Sequence, residues 1–345
     1  MSISGTGGIL NIGFTCYANA VIQAFRHCNT FDTLFQEEIY SKNLKEDCKY
    51  SILTKQFANL IQNISKITTS SSIKPMGFWY GFQQSSKDTG FEHLNHRAPH
   101  DAHEFLMFLL DSIHESLSKK LNLKITKIEL KTERQKLHQM SLESWKEHFE
   151  NSYSPLVPLL FGLFHIQTEC SNCKNLTNKF ETFNTLKGVM YNEKKLTLIE
   201  SILDELNEEI IDEYACEKCS PKRYKAIRKT KIWKLPPTLI VVLKRFTFDG
   251  RKIYTALEDF NTEEPINISN IYSPLSPDKE KQNMYQLIST VNHHGGPNGG
   301  HYTAQAKHRS ENKWFNYDDQ SVSEINKPDI GSSTYILILE KQTKL

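Results

Sequence analysis

Nothing in this sequence is long and apolar enough to cross a bilayer, since its longest apolar runs are LIVVL at 239–243 and YILIL at 335–339. The opening MSISGTGGIL lacks a basic stretch and an apolar core, so no secretion signal is expected. Charge of one sign is lacking too. Basic and acidic residues number 42 and 40, a formal charge of +2, so no overall field draws the chain to nucleic acid or an anionic membrane. Internal repeats and low-complexity tracts are absent, and 15 glycines and 12 prolines in 345 residues exclude fibrous and disordered classes. Cysteine is scarce and odd in number: four of the seven form two C-x-x-C pairs, which argues against a disulfide framework and for metal binding in a reducing, intracellular compartment. The sequons at Asn63, Asn175 and Asn267 are then chance matches.

What is present is local. Tyr17, Ala20, Val21, Ala24 and Phe25 recur with the helical period, so a helix is expected from Thr15 with Cys16 in its first turn. A helix N-terminus favours a thiolate, and Asn11, beside Gly13 in a segment that must turn, could offer its amide to an oxyanion forming at the sulfur. A second helix is expected near Asp101, which has capping-box spacing to Glu104 and is followed by Phe105, Phe108, Leu109, Ile113 and Leu117. Residues 119–150 are charged and helix-prone, expected as a solvated helical insertion.

From about residue 165 the pattern turns to short β-type segments. Strands are expected at TLIVVLKRFTF, YQLISTVNHH, HYTAQAK, KWFNYDD and TYILILEK, forming mainly antiparallel sheet, with SPLSPDKEKQN (273–283) an exposed connection. The short turn at Arg309 to Asn312 pairs two of these strands and brings His301 of GGHYTA near Asp318 of WFNYDDQSV, a base and its orienting carboxylate for a thiol nucleophile. Cys170-Ser-Asn-Cys173 and Cys216-Glu-Lys-Cys219 can present four thiolates to one tetrahedral zinc, a closed and therefore structural site. A zinc ribbon facing nucleic acid is the alternative. Mixed local charge disfavours it, and Lys222, Arg223, Lys225 and Arg228 are expected as a solvated face.

Taken together these blocks resemble the ubiquitin-specific proteases, from about Gly8 to Glu340. GILNIGFTCYANAVIQAF is similar to the family's Cys box, APHDAHEFLMFLLDSI to its Gln-Gln-Asp box, LPPTLIVVLKRF to its palm strand, and GGHYTAQAK with WFNYDDQSV to its His box. The resemblance implies an α+β, papain-like cysteine peptidase shaped as a right hand. One catalytic domain would fill 1–345, with a helical thumb over about 1–160, zinc-bearing fingers over about 161–235 and a palm over about 236–345. It implies hydrolysis of the bond after ubiquitin's terminal glycine, with Cys16 as nucleophile, His301 as base, Asp318 as third member and Asn11 at the oxyanion. Asp319 would assist, and His293 would border the channel for ubiquitin's tail. Partners would be ubiquitin and ubiquitinated proteins, met by a monomer that touches neither nucleic acid nor membrane. Departures from the family pattern are Phe14 for Asn, Ala18 and Ala20 for Met and Ser, and Ala98-Pro99-His100 ahead of Asp101. The changes at Phe14 and ahead of Asp101 leave a ubiquitin-binding pseudo-enzyme open, and a protease for another ubiquitin-like modifier would share every motif quoted.

Overall fold

The computed structural model describes residues 3–36, 39–126, 130–297 and 299–342. The first expected helix forms as α1 (Cys16–Phe25), with every residue buried. It is apolar on nearly all sides and is wrapped by α2 (Ser51–Ile64), α3 (Met76–Ser85) and α4 (Ala102–Leu117). Aromatic rings lock these helices together: Phe82 meets Phe105 at 5.7 Å and Phe108 at 5.2 Å, and Phe57 meets Phe78 at 6.1 Å. Truncating Phe82 or Phe105 to Ala would cost roughly 3–5 kcal/mol. Asp101 caps α4 by accepting from the His103 and Glu104 amides at 2.8 and 3.0 Å. Glu104 does not complete a capping box; it turns to His93 Nε2 at 3.0 Å, while the second Asp101 oxygen takes the Tyr335 hydroxyl at 2.9 Å.

The insertion at 119–150 departs from expectation. Residues 119–126 form no helix, and the helix α5 (Glu133–Phe149) starts only at the capping box of Thr132 and Gln135. Nor is it wholly solvated. Leu137 and Phe149 are buried, and Leu137 packs with Leu163, Phe180 and Trp233 of the following β region.

That region contains two sheets. β1 (Gly162–Cys170), β2 (Leu176–Phe183), β4 (Glu209–Tyr214) and β5 (Tyr224–Lys234) form an antiparallel sheet in the order β2-β1-β5-β4. Between β2 and β4, β3 (Leu186–Val189) leaves this sheet for the larger one. β3 pairs in parallel with β6 (Thr238–Lys244), and the capped helix α6 (Leu198–Glu205) covers it. Local patterns could not show this four-residue strand, because its partner residues lie 55 positions on, Leu186 opposite Val241 and Val189 opposite Lys244.

The larger sheet adds β7 (Met284–Gly296), β8 (Gly299–Lys307), β9 (Trp314–Asp318), β10 (Ser321–Ile325) and β11 (Thr334–Lys341), in the order β10-β9-β8-β7-β11-β6-β3. The unbroken apolar runs of β6 and β11 follow from burial on both faces. Ile240, Val242, Ile336 and Ile338 face the helices, whereas Leu239, Val241, Leu243, Leu337 and Leu339 face a second core that includes Ile202 of α6. The connection 273–283 is less exposed than its polarity suggests. Ser276 and Asn283 are buried, with Ser276 Oγ donating to the Trp233 carbonyl at 2.6 Å. No described helix is long and apolar enough to cross a membrane.

Candidate active site

The site is built around the turn that precedes α1. Asn11 Oδ1 accepts from the Gly13 and Thr15 amides at 3.0 and 3.1 Å, which folds the chain back through Gly13 (φ +117°) and Phe14 (φ +58°). Cys16 then opens the helix, where the first N–H groups have no intrahelical acceptor. Asn11 Nδ2 donates to Asp319 Oδ2 at 2.8 Å, and Asn19, one helical turn after Cys16, donates to Asp319 Oδ1 at 2.8 Å. The Asp319 carbonyl also accepts from the Ile9 amide at 2.9 Å. Both carboxylate oxygens of Asp319 therefore accept from the chain itself, which sets Asp319 behind Asn11.

β8 and β9 are antiparallel, with Lys307 opposite Trp314 and Ala304 opposite Tyr317. Continuing this register brings the start of β8 beside the end of β9, and His301 Nε2 lies 2.6 Å from Asp318 Oδ1. Because Nε2 faces the carboxylate, Nδ1 is the ring nitrogen left free to receive a proton. Asp319 adopts φ +51°, so adjacent carboxylates point to different partners: Asp318 to the imidazole, Asp319 to the two amides.

A cleft of 370 Å³ runs to Cys16 between Tyr17, Pro99 and His100 on the helical side and Phe246, His293, Gly300 and Tyr302 on the sheet side. Phe14 is not among its walls. Gly300 is needed for close approach: a Cβ there would lie 2.1 Å from the His294 carbonyl oxygen and 2.6 Å from His293 Nε2. His293 is buried rather than open to a ligand from all sides, and its Nδ1 lies 2.9 Å from Lys252 Nζ. Lys252 also donates to the carbonyls of His293 and Gly295 at 2.6 and 3.0 Å, tying the 246–252 hairpin to the end of β7 across the cleft wall. Burial, reinforced by the Lys252 charge, pushes His293 down to about 4, and burial lowers Lys252 to about 8. The buried Arg245 guanidinium anchors the same wall by donating to the carbonyls of Ile253, Thr255, Gly331 and Thr334. Neither Lys252 nor Asn19 was expected from the sequence. The available signal for Asn19 was a polar side chain which, with Gln23 one turn on, interrupts the apolar α1 pattern.

The Cys16 thiol departs from expectation. Burial pushes it above its ordinary value and Asp319 adds to the rise, against backbone contacts at Tyr302, Tyr17 and Cys16 that pull it down. Burial thus works against the thiolate that the helix N-terminus favours. Iodoacetamide modification of Cys16 is expected to keep accelerating with pH beyond the point where an ordinary cysteine levels off. A plateau below neutral pH would contradict this assignment.

At the far end of the smaller sheet, Cys170, Cys173, Cys216 and Cys219 bring their sulfurs within 4.8 Å of one another. Cys170 Sγ lies 3.9 Å from Cys219 Sγ and Cys173 Sγ 3.6 Å from Cys216 Sγ. A disulfide needs about 2.05 Å, whereas a tetrahedron of thiolates about 2.3 Å from zinc has edges of about 3.8 Å. The donor set therefore fits zinc. Backbone contacts at Cys173, with Asn172, hold Cys170 down to about 7. The neighbouring basic residues are paired with acids: Arg228 with Glu209 at 3.5 Å, Lys225 with Asp212 at 3.4 Å and Lys229 with Glu208 at 2.6 Å.

Comparison with known proteins gives a consistent picture. The family model described as ubiquitin carboxyl-terminal hydrolase matches residues 7–339. Ubiquitin carboxyl-terminal hydrolase Usp2 of Drosophila melanogaster is 29% identical over 344 residues, covering 98% of this chain and 35% of that protein. Ubiquitin carboxyl-terminal hydrolase 4 of Saccharomyces cerevisiae is 27% identical over 364 residues, covering 97% of this chain and 39% of that protein. The chain thus spans between a third and two fifths of the length of these two relatives. Among solved structures, the SAGA Ubp8/Sgf11/Sus1/Sgf73 DUB module bound to ubiquitin aldehyde aligns with a TM-score of 0.73 at 24% identity, covering 99% of this chain and 70% of that one. The likeness shows the α+β fold.

Proposed function

The chain belongs to the ubiquitin carboxyl-terminal hydrolase family, and on that premise we propose that it is a cysteine-type deubiquitinase. The observation that carries the reading is a convergence. The Asn11–Asp319–Asn19 clamp holds the turn just ahead of Cys16, and His301, paired with Asp318, sits on the strand whose next residue, Tyr302, lines the same cleft as Cys16. His301 Nδ1 takes the Cys16 proton while Asp318 holds the ring and stabilises its cation. The thiolate attacks the carbonyl of ubiquitin's terminal glycine. Of the two Asn11 amide hydrogens one stays on Asp319; the other, with the N–H groups opening α1, receives the oxyanion. The amine departs with the proton from His301, and water then hydrolyses the thioester. Gly299 and Gly300 leave room for a tail without large side chains, beside His293. The ubiquitin aldehyde bound to the solved neighbour supports ubiquitin as the occupant.

Zinc held by Cys170, Cys173, Cys216 and Cys219 would supply structure alone, because four thiolates leave no position for substrate. All the proposed catalytic groups come from one chain, so a monomer suffices. The unpaired state of all seven cysteines suits a reducing intracellular compartment. Phe14 favours neither a blocked site nor a pseudo-enzyme, since it lies outside the cleft.

The test is cleavage of an isopeptide-linked ubiquitin conjugate with release of intact ubiquitin, in wild type, Asp318→Ala and Asp319→Ala. Either substitution is expected to lower kcat by on the order of 10²–10³-fold, Asp318 through the tautomer of His301 and Asp319 through the aim of Asn11, with KM nearly unchanged. An Asp319→Ala enzyme of full kcat would remove Asp319 from the mechanism. No cleavage by wild type of a ubiquitin conjugate, with cleavage of another modifier, would replace the proposed substrate.

A further inference from the structure

Part of one face of α3 is left uncovered by the fold. Met76, Tyr80 and Gln83 follow one another at the spacing that places side chains on a single helix face, with the buried Trp79 beside them. Of these, Met76 is 53% and Tyr80 55% exposed, and they meet Phe14, itself 55% exposed, around a hollow of 300 Å³. The permanently charged side chain at its rim is Arg97, and no carboxylate lines it. Phe14 stands there in a backbone conformation that a bulky residue adopts only when its surroundings impose it. What imposes it is Asn11, whose side-chain oxygen holds the amides on either side of Phe14. The residue that aims a hydrogen at the oxyanion thus also turns an aromatic ring outward.

The turn separates two hollows. The active-site cleft includes Cys16 and Tyr17 but none of residues 12–15, whereas the second hollow includes residues 12–15 and Tyr17 but not Cys16. The acyl half of the scissile bond fills the cleft, so the amine half departs from Cys16 over the turn that carries Phe14. We propose that this second hollow is a leaving-group subsite. It receives the segment of the conjugated protein that bears the acceptor lysine, and it favours a large apolar side chain with a carboxylate beside it. The apolar side chain packs on Phe14, Trp79 and Tyr80, and the carboxylate pairs with Arg97. The proposal rests on the deubiquitinase reading of Cys16 and deepens it by naming which acceptors are preferred.

The test uses ubiquitin joined to the lysine ε-amine of two short peptides, one with Phe and Glu beside the lysine and one with Gly and Ser, and to a small fluorogenic amine. Wild type is expected to cleave the Phe/Glu conjugate with a kcat/KM about tenfold above the Gly/Ser conjugate, the scale of discrimination an apolar subsite provides. The double variant Met76→Ser, Tyr80→Ser brings that ratio close to one, and Arg97→Glu shifts the preference from Glu to Lys at the flanking position. Both α3 side chains are surface residues, so unfolding temperature serves as the control that recognition and not folding has changed. Equal rates on the two peptides in wild type, or a preference that survives the double substitution, overturns the subsite while the fluorogenic amine is still released. If no ubiquitin conjugate is cut, the fluorogenic one included, the deubiquitinase reading fails and takes the subsite with it.

Discussion

Replacing Cys16 with alanine is expected to lower turnover of a ubiquitin conjugate by on the order of 10⁴-fold or more, with ubiquitin affinity held within a few-fold of wild type. The size of the loss follows from the division of labour at the site. In the proposed mechanism the clamp on Asn11 and the His301–Asp318 pair act only through a bond being made at the sulfur, so without the thiol they would have nothing to assist. The persistence of binding follows from geometry. Cys16 is one small, almost fully buried residue at the end of a cleft whose walls are Tyr17, Pro99, His100, Phe246 and Gly300, all of which the variant keeps. Steady-state kinetics and titration calorimetry of the same preparation check both halves. Turnover within tenfold of wild type would show that another group attacks, and loss of affinity would show that Cys16 is chiefly a packing residue.

The second large effect concerns the four-cysteine cluster. Strands β1, β2, β4 and β5 are anchored near the helices by Leu163, Phe180 and Trp233, but their far end has little apolar support of its own: Ile210, Ile227 and Leu176 are all exposed there. The proposed zinc would hold that end by joining the turn after β1 to the segment between β4 and β5. Cys216→Ser, or removal of metal by a strong chelator, is therefore expected to unfold this end first and to lower the main unfolding temperature by on the order of 10 °C. Elemental analysis should find one zinc per chain in wild type and none in the variant. The alkylation rate of Cys16 should not change, because the cleft is built from the other sheet. A metal-free protein with unaltered melting would refute the structural role.

Legibility in the sequence depended on whether a signal was local. Helices α1 and α4 and strands β6 to β9 and β11 were visible because a periodic pattern, a cap or an unbroken apolar run marks each one. Cys16, His301 and Asp318 stood out through motif, and the short turn between β8 and β9 explains why residues 301 and 318 meet. What was not legible depends on neighbours distant in sequence. The short strand β3 has a partner only once β6 exists, and helix α5 found a packing surface on β2 that its charged composition did not announce. The side chain of Asp319 points at Asn11 and Asn19 because its own backbone is left-handed, a property a sequence does not display. The raised Cys16 thiol is of the same kind: helix position argues for a thiolate, and burial pushes the other way. Lys252 was hidden among surface lysines until the fold placed His293 beside it.

The proposed chemistry and its substrate are tested together by reacting the protein with ubiquitin whose C-terminus carries a thiol-reactive group, followed by intact mass and peptide mapping. A single ubiquitin adduct on Cys16, absent from Cys16→Ala and absent after prior alkylation of Cys16, is the result the account predicts. An adduct that persists on Cys16→Ala, or no adduct on a folded wild-type protein, would contradict it.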